Sequence, residues 1–447
     1  MWNIERSIDS FAAHCIAATA HMNCFNRASV GVVIVNWNGW RHTIAACRSL
    51  ENSSYPSIKI IIVDNASADD SLARLRAAVS HAHIIANGVN AGFAGACNIG
   101  IRHAAELGCD YVFLLNNDAL VENDTIGRLV HASAVKKNSA LLGSAVTYLA
   151  SGKYQFFGSR AGTAVREPEL FVFEKDGALL SQDFIETDYI LGAAFFIPVP
   201  LLNRIGTFDE RFFLNYEETD LCYRAGELGI SCFIVPGSIV RHHANATMGS
   251  YPAPMQAYFL TRNGLLFAEK HGPPEQQHPL FLLKRLYWDI RRAWKTARRK
   301  ALPIQAILWA FWDYTRQRFG DCPAEIRRMD ALHRSMDGPS SNRAGTKISV
   351  AGIHHAWAEK LKYLFQTDRL SRPEMIDLFG TSVAIGLGTL IFGGVFLSAG
   401  IAFVAGVFHE PEFAHMRNMG FLMAAGLGVA FASWFLAGAM RRPTWYD

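Results

Sequence analysis

Four short apolar runs alternate with segments of helical spacing near the start of this chain, and the alternation limits the folds open to it. The runs begin at Val30, Ile58, His83 and Tyr111. A repeated β-α-β-α order predicts a parallel sheet that is covered by helices on both faces. We therefore expect residues 29–275 to form a Rossmann-like α/β domain with a mostly parallel sheet flanked by helices.

Polar side chains stand where three of these strands stop. Asn36 and Asn38 follow the first strand, Asp64 ends the second, and Asn117 and Asp118 end the fourth. Ligands of open α/β sheets bind outside the carboxyl ends of the strands. There Asp64 can accept a hydrogen bond from a nucleobase or a ribose, and Asp118 can hold a divalent cation against a diphosphate. The alternative is an ordinary solvated strand end, in which these residues only favour the turns.

A segment rich in glycine and asparagine opens the helix after the third strand. It contains Asn90, Gly92, Phe93 and Asn98, and the helix begins after Gly92. The first backbone N–H groups of a helix have no partner within the helix. We therefore expect them to face an anion such as the phosphates of a donor.

Three acids open a later helix. Glu217, Glu218 and Asp220 lie close together in the sequence, and one of them can act as a general base. Neighbouring helical residues point about 100° apart, so the spacing predicts that Glu217 and Asp220 share a face and that Glu218 points elsewhere. The alternative is that Glu217 and Glu218 are simply acids of a first helical turn, which the helix dipole favours.

A histidine pair follows the last apolar strand of this region. A neutral imidazole nitrogen is a common metal ligand, so His242 or His243 can complete a metal site with Asp118. The residues alone leave the choice between the two histidines open.

Six motifs stand in one order over about residues 29–270. They are VVIVNWNG, VDNASADDS, NAGFAGACNIG, LLNNDA, FDERFFLNYEETDLCYR and RHHANAT. In this order and spacing they resemble the family-2 glycosyltransferases, with the rhamnosyltransferase-like branch that builds bacterial surface polysaccharides as the nearest subgroup. The resemblance implies a GT-A fold, a nucleotide-sugar donor, a divalent metal (Mn²⁺ or Mg²⁺) and inversion at the anomeric carbon.

The resemblance also implies roles for individual residues at the end of the fourth strand. The family's aspartate-rich metal motif matches Asn116-Asn117-Asp118 in its last position alone. Asp118 is therefore the single carboxylate ligand expected there.

The base motif and the metal-binding histidine of the family can be matched in the same way. The base motif is Glu217-Glu218 here, and its second position makes Glu218 the general base, with Glu217 and Asp220 orienting the acceptor or the local loop. The family's histidine is followed five residues later by Ser or Thr, which matches His242 with Thr247 better than His243.

Arg262 and the asparagine after it resemble an Arg-Asn pair of related sequences, which we assign to diphosphate or acceptor contact. The expected donor-binding residues lie at the strand ends, at the glycine-rich helix start or in this pair. They are Asn36, Asn38, Asp64, Asn90, Gly92, Phe93, Asn98, Asn117, Asp118 and Arg262.

Residues 276–370 differ in character from the α/β region. The stretch from Lys284 to Lys300 holds eight basic residues and one acid, interleaved with tyrosine and tryptophan. Basic and aromatic residues at helical spacing are typical of helices that lie in a membrane interface. A solvated face or a nucleic-acid arm would give a similar pattern, but the apolar runs downstream favour the membrane.

Two runs without a charged residue, 379–408 and 419–440, dominate the C-terminal part. A spanning helix needs about 20 apolar residues, so residues 371–447 are predicted to form a two-helix transmembrane hairpin. Arginine flanks both outer ends, and the positive-inside rule then places the catalytic domain and both termini in the cytoplasm, at the inner membrane. Residues 1–28 are expected to be an N-terminal extension without a signal peptide.

These expectations combine into one function. We expect a membrane-anchored, metal-dependent, inverting glycosyltransferase that moves a sugar from a dTDP- or UDP-sugar, with dTDP-rhamnose favoured, to a lipid-linked saccharide. Nucleic acid is not an expected partner, and the sequence leaves homo-oligomer formation open. Two other classes use the same features: a nucleotidyltransferase with the same crevice, and a non-catalytic scaffold that binds nucleotide-sugar for a membrane complex.

Overall fold

A computed structural model describes residues 28–160, 169–243, 253–273, 279–296 and 301–337. All of them belong to the same structural unit, Met1–Asp337. Within the described ranges, no helix is both long and apolar enough to cross a bilayer. The hairpin expected over residues 371–447 lies outside the described residues, as does the expected N-terminal extension except for Ala28.

The first half of the sheet is built from the four apolar runs. Its elements are β1 (Val30–Asn36), α1 (Trp40–Glu51), β2 (Ile58–Asn65), α2 (Ser71–Ala78), β3 (His83–Asn87), α3 (Gly92–Glu106) and β4 (Tyr111–Asn116). The strands run parallel in the order β3-β2-β1-β4. β1 and β4 are buried along nearly their whole length, which is why they read as continuous apolar runs. The predicted β-α-β-α order is confirmed for this half.

The second half begins with short elements and contributes six further strands to the same sheet. Its elements are β5 (Ala119–Val121), α4 (Thr125–Val135), β6 (Leu141–Tyr148), β7 (Tyr154–Phe156), β8 (Ser159–Arg160), β9 (Glu169–Leu170), α5 (Phe173–Asp176), a 3-10 turn (Gly177–Ser181), β10 (Ile185–Thr187), β11 (Ala194–Pro198), α6 (Val199–Ile205), α7 (Glu217–Glu227) and β12 (Cys232–His242). β8 and β9 form a separate two-stranded sheet.

The complete sheet is mixed, which corrects the expectation of a mostly parallel one. Its order is β10-β12-β6-β11-β4-β1-β2-β3, and β11 runs antiparallel to both of its neighbours, β4 and β6. The buried apolar run that forms β11 carries no signal for strand direction, since only its pairing decides that. The result is a GT-A-like α/β fold, in which helices flank a mixed sheet.

β12 brings a distant residue to the end of β4. It is one long strand with an irregularity between Val235 and Ile239, where Pro236 and Gly237 interrupt the ladder. Its last residues pair antiparallel with β5, so that His242 lies opposite Ala119. This pairing places His242 next to the polar end of β4.

Four helices follow the sheet: α8 (Pro254–His271), α9 (Pro279–Thr296), α10 (Ala301–Thr315) and α11 (Ala324–Asp337). Much of α8 is buried. α9 buries Leu286 and Ala293 and exposes Tyr287 and Trp288. The predicted amphipathic character is therefore present in α9, and its contact with a membrane stays a prediction.

Candidate active site

The ends of β1 and β2 are joined by a buried hydrogen-bond network. The amide nitrogen of Asn36 donates to Oδ1 of Asp64 at 2.7 Å and to the Ser67 hydroxyl at 3.1 Å. The Thr43 hydroxyl donates to the amide oxygen of Asn36 at 2.7 Å, and Ser67 donates to Oδ1 of Asp64 at 2.6 Å. Asn36 is fully buried and Asp64 nearly so. The structure therefore brings the predicted pair together. The side-chain amide of Asn36, however, is hydrogen-bonded to Asp64, Ser67 and Thr43 and is not directed at a nucleotide-sugar.

Asn38 ties the same two strand ends together from outside. Its backbone is left-handed at φ 52°, and its N–H donates to the Ser67 hydroxyl at 2.9 Å. Its side-chain oxygen accepts from the N–H of Ala68 at 2.7 Å. We expected Asn38 to contact the nucleotide-sugar. Its backbone N–H and side-chain oxygen instead hold the loop after β2.

An asparagine cluster shapes the entry to α3. Asn65, which the sequence analysis missed, donates to the side-chain oxygen of Asn90 at 2.9 Å and accepts from the N–H of Ala91 at 2.9 Å. The same oxygen of Asn90 accepts from the N–H of Gly92 at 2.9 Å. Asn65 directly follows Asp64 at a strand end, so the rule that found Asp64 could also have found it.

The N-terminus of α3 is closed by the protein itself, which corrects the expectation of a free anion site. The carbonyl of Phe213 accepts from the N–H groups of Phe93 at 2.7 Å and Ala94 at 3.3 Å. Gly92 permits this approach, because its φ is +72° and a Cβ there would lie 2.4 Å from the Phe213 oxygen. The helix start therefore positions the loop before α7.

Asn98 also has a structural role in place of the expected donor contact. Its amide nitrogen donates to the Phe208 carbonyl and to Oε1 of Glu210, both at 2.9 Å, and its oxygen accepts from the N–H of Phe208 at 3.0 Å. The side chain is buried. Asn98 thus fastens the same loop to α3 one turn further along.

Asp118 and His242 meet at the end of β4, as predicted. Nε2 of His242 lies 2.9 Å from Oδ1 of Asp118 and 3.4 Å from the amide nitrogen of Asn116. Burial opposes ionisation of Asp118, but the hydrogen bond and the charge of His242 outweigh it, so the pKa of Asp118 is lowered. The backbone N–H of His243 donates to the carbonyl of Asp118 at 2.8 Å, and its ring lies 5.2 Å from that of His42.

The chemistry of this pair fits a divalent cation. Nδ1 of His242 lies 3.0 Å from the side-chain oxygen of Gln155, which holds the ring so that Nε2 faces Asp118. A bare nitrogen lone pair directed at a carboxylate requires a positive charge between them, either a proton or a metal ion. In the described part of the chain no three His, Cys, Asp or Glu side chains form a metal cluster. Asp118 and His242 would therefore need a donor diphosphate for the remaining ligands.

Asn117 lies at the rim of the same site. Its amide nitrogen is 3.4 Å from the Thr43 hydroxyl, and a Cβ on Gly39 would lie 2.6 Å from it. Asn117 is partly exposed. Of the predicted donor residues, Asn117 and Asp118 lie at the end of β4, and both are partly exposed.

Glu217 and Glu218 approach this edge of the sheet from α7. The Tyr189 hydroxyl donates to Oε1 of Glu218 at 3.1 Å, and a Cβ on Gly192 would lie 3.2 Å from that oxygen. The carbonyl of Ala193 accepts from the N–H of Asn116 at 3.2 Å. Gly192, which precedes β11, therefore lies beside the end of β4. Glu218 of α7 lies against Gly192 and is thus close to the same strand end. No sequence signal indicated Tyr189.

Glu217 and Asp220 both lie on the buried face of α7, as their spacing predicted, and Glu218 is partly exposed. The carboxyl of Glu217 nevertheless interacts with that of Glu218. Burial and then the charge of Glu218 raise the pKa of Glu217 well above its usual range.

Asp220 belongs to an ion cluster behind the site, so the structure does not support it as a base. It is fully buried, with Nε of Arg224 at 2.9 Å and Nε2 of His271 at 2.8 Å, and it also pairs with Lys270. Burial opposes its ionisation, but His271, Lys270 and Arg224 outweigh this and lower the pKa of Asp220. Asp220 therefore joins α7 to the end of α8.

Arg262 is a buried clamp, which corrects its assignment to the diphosphate. Its guanidinium donates to the carbonyls of Gly320 at 2.7 Å and Phe212 at 3.1 Å, and Nε donates to Asn263 at 3.0 Å. Asn263 in turn donates to the carbonyls of Phe212, Leu214 and Asn215. The Arg-Asn pair thus fixes the loop that leads into Glu217.

Comparison with known proteins identifies one family in the first half of the chain. Residues 31–193 match the family described as Glycosyl transferase family 2. This segment is thus identified as a family 2 glycosyltransferase domain. The match includes Asp64 and Asp118 but ends before Glu217, Glu218 and His242. The latter half of the candidate site therefore rests on the geometry described above.

Three curated relatives are similar to about half of this chain. The low-salt glycan biosynthesis hexosyltransferase Agl10 of Haloferax volcanii is 28% identical over 46% of this chain and 66% of its own length. The dTDP-rhamnosyl transferase RfbF of Shigella flexneri is 24% identical over 48% of this chain and 72% of its own. The N-acetylglucosaminyl-diphospho-decaprenol L-rhamnosyltransferase of Mycobacterium tuberculosis is 22% identical over 54% of this chain and 84% of its own.

Proposed function

We propose that this protein is an inverting glycosyltransferase that moves a sugar, with rhamnose from dTDP-rhamnose favoured, onto a lipid-linked saccharide at the cytoplasmic face of a membrane. One observation carries the proposal. The Asp118–His242 pair, with 2.9 Å between Oδ1 and Nε2, lies at the end of β4, and Glu218 lies against Gly192 on the adjacent strand end. A cation site and a carboxylate thus flank one edge of the sheet, as an inverting displacement requires.

The reaction follows from this placement. Glu218 accepts the proton of the acceptor hydroxyl as its oxygen attacks the anomeric carbon. The bond from that carbon to the diphosphate oxygen breaks, and the nucleoside diphosphate leaves with the electron pair. Attack from the side opposite the leaving group inverts the anomeric configuration. Asp64 is positioned by Asn36 and Ser67 to accept a hydrogen bond from the nucleoside.

A divalent metal, Mn²⁺ or Mg²⁺, would be held by Asp118 and His242 and would neutralise charge on the leaving diphosphate. Gln155 orients His242 for this role.

The names of the relatives support the choice of substrates. One is named for dTDP-rhamnose chemistry, and one for rhamnosyl transfer to N-acetylglucosaminyl-diphospho-decaprenol. A dTDP-rhamnose donor and an acceptor sugar on a polyprenyl diphosphate are therefore the first substrates to try.

The proposed membrane association draws on α9 and on the sequence beyond residue 337. α9 exposes Tyr287 and Trp288, and the guanidinium of Arg291 lies 5.2 Å from the Trp288 ring centroid. Aromatic and basic side chains of this kind suit the interface of an anionic bilayer. A cysteine in place of Asn418, between the two apolar runs, should react with an impermeant maleimide added to intact cells. Labelling only after lysis would contradict the predicted topology.

The function is tested with the purified full chain, dTDP-rhamnose and a short polyprenyl diphosphate N-acetylglucosamine, with Mn²⁺, Mg²⁺ or chelator. We expect metal-dependent release of dTDP and a product whose anomeric configuration, read by nuclear magnetic resonance, is inverted. UDP-glucose and GDP-mannose are the donor controls. Release of pyrophosphate would identify a nucleotidyltransferase, and donor binding without hydrolysis or transfer would identify a scaffold. Either result would overturn the proposal.

A further inference from the structure

We propose that Glu217 is a neutral carboxylic acid that donates its proton to Glu218 and thereby positions the base. The inference rests on the proposed function in one respect, the assignment of Glu218 as the base. Glu217 is then a positioning residue, since the reacting atoms would be touched by Glu218 alone.

The first support is a pair of carboxyl oxygens that lack partners. Oε2 of Glu217 and Oε2 of Glu218 are both buried, and neither finds a hydrogen-bond donor among the residues that the structure describes. Glu217 is only 2% exposed. A buried oxygen of an ionised carboxylate without a donor is costly. A proton between the two carboxyl groups satisfies both oxygens at once.

The second support is the set of groups around the pair. Cys97 of α3, Cys222 of α7 and Tyr189, which precedes β11, interact electrostatically with Glu217 or Glu218. All three are groups that are neutral when protonated. Burial raises the pKa of each above its usual value, and the charges of the glutamates raise it by a smaller amount. Each is thus uncharged at neutral pH and offers no positive charge to a second carboxylate.

Three basic side chains on α7 and α8 are engaged by another acid, because Arg224, Lys270 and His271 all pair with Asp220. Glu218 interacts with Glu217 and raises its pKa. Two neighbouring carboxyl groups that share a buried site do not both ionise, so one of them keeps a proton. Glu217 is the more deeply buried of the two, and Glu218 is the one that the Tyr189 hydroxyl stabilises as an anion, with 3.1 Å between the oxygens.

The consequence for the base is orientation. Tyr189 donates to Oε1 of Glu218. In the proposal the acid of Glu217 donates to Oε2, the oxygen that has no other donor, so the carboxylate is held at both oxygens. The backbone of Gly192 lies beside Oε1, because a Cβ there would be 3.2 Å away. A base held in this way keeps its remaining lone pairs aimed in one direction without a cost in reorganisation during transfer.

The test compares Glu217→Gln, which keeps a neutral donor, with Glu217→Ala, which removes it; Glu227→Gln, at the exposed end of α7, is the matched control. Infrared spectra of the full chain at pH 7 should show a protonated carboxylic acid band that disappears in both Glu217 variants and persists in Glu227→Gln. Turnover should fall by about tenfold or more in Glu217→Ala, on the scale of a hydrogen bond to a charged group, with little change in donor KM. Glu217→Gln should recover most of that loss.

Two results would overturn the inference. One is an infrared spectrum in which Glu217→Gln removes no protonated acid band. The other is a Glu217→Gln variant that loses as much turnover as Glu217→Ala, since that would show that the ionised form of Glu217 is required. Failure of the proposed function has a different signature: Glu218→Gln would keep its turnover while the infrared band still reports a protonated Glu217.

Discussion

The contact between Gly92 and Phe213 gives a prediction whose magnitude can be worked out from three glycines. Gly92→Ala places a Cβ 2.4 Å from the Phe213 carbonyl at a φ of +72°. The left-handed backbone costs an L-residue about 1–2 kcal/mol. Displacing the carbonyl also weakens the bonds from Phe93 and Ala94, which contribute about 1 kcal/mol each. After the unfolded-state entropy gain of about 0.5–1 kcal/mol, we expect the free energy of unfolding to fall by about 2–3 kcal/mol.

Two other glycines separate the components of this loss. Gly108 has a φ of +69° but nothing within 4 Å of its Cβ position, so Gly108→Ala should cost about 1 kcal/mol after the unfolded-state entropy gain. Gly88 has neither feature, and Gly88→Ala should change stability by about 0.5 kcal/mol or less.

The assay is urea unfolding of the three variants under one condition, together with turnover and donor binding. Because the Phe213 loop leads into α7, Gly92→Ala should lower turnover more than donor affinity. If Gly92→Ala and Gly108→Ala cost the same, the carbonyl contact contributes nothing and the reasoning is refuted.

The remaining predictions concern single polar groups. Glu218→Gln should lower turnover by roughly 10²-fold, the scale of general-base loss, while donor affinity in metal stays near that of the wild type; near-normal turnover would remove it as the base. Asp118→Ala and His242→Ala should each abolish the metal dependence of donor binding measured by calorimetry, whereas His243→Ala should keep it. If His243→Ala abolished it and His242→Ala did not, His243 would be the metal ligand. Asp220→Asn should lower the free energy of unfolding by about 3 kcal/mol by breaking a buried ion cluster. The pKa of Asp220 is lower in the folded state than in the unfolded state. The contribution of Asp220 to the free energy of unfolding is therefore present when the pH is above its unfolded-state pKa, and it is lost as the pH falls through its folded-state pKa. The acid limb of the stability curve should therefore be flatter in Asp220→Asn, and an unchanged limb would contradict the assignment.

The sequence predicted the parts of the site that depend on strand order. Asp64 and Asp118 lie at the carboxyl ends of strands that appear in the sequence as continuous apolar runs. Because β2, β1 and β4 are parallel neighbours, their carboxyl ends lie at the same edge of the sheet. The choice of His242 over His243 as the partner of Asp118, 124 residues away, came from the family resemblance, because the residues alone left both histidines open.

The predictions that failed concern polar groups already bonded to distant backbone. Asn98 bonds to Phe208 at a separation of 110 residues, and Arg262 bonds to Gly320 at a separation of 58. A motif gives the residue type at a position but not whether a carbonyl from elsewhere has taken up its donors. The direction of β11 was missed for a related reason, since pairing with β4 and β6 is a property of the fold and not of the run itself.

The buried guanidinium of Arg262 sets a practical limit on where this protein can be divided. The side chain is fully buried and joins the loop before Glu217 to the carbonyl of Gly320, which lies beyond α10. Tyr258 bonds to Asp313 on α10 at 2.8 Å, and Arg285 of α9 donates to the Tyr216 hydroxyl at 3.3 Å. A fragment cut at residue 275 would remove the Gly320 carbonyl and leave the buried guanidinium of Arg262 without one of its hydrogen-bond acceptors. The smallest fragment suited to expression or domain exchange therefore extends through α11, well past the end of the family 2 match at residue 193.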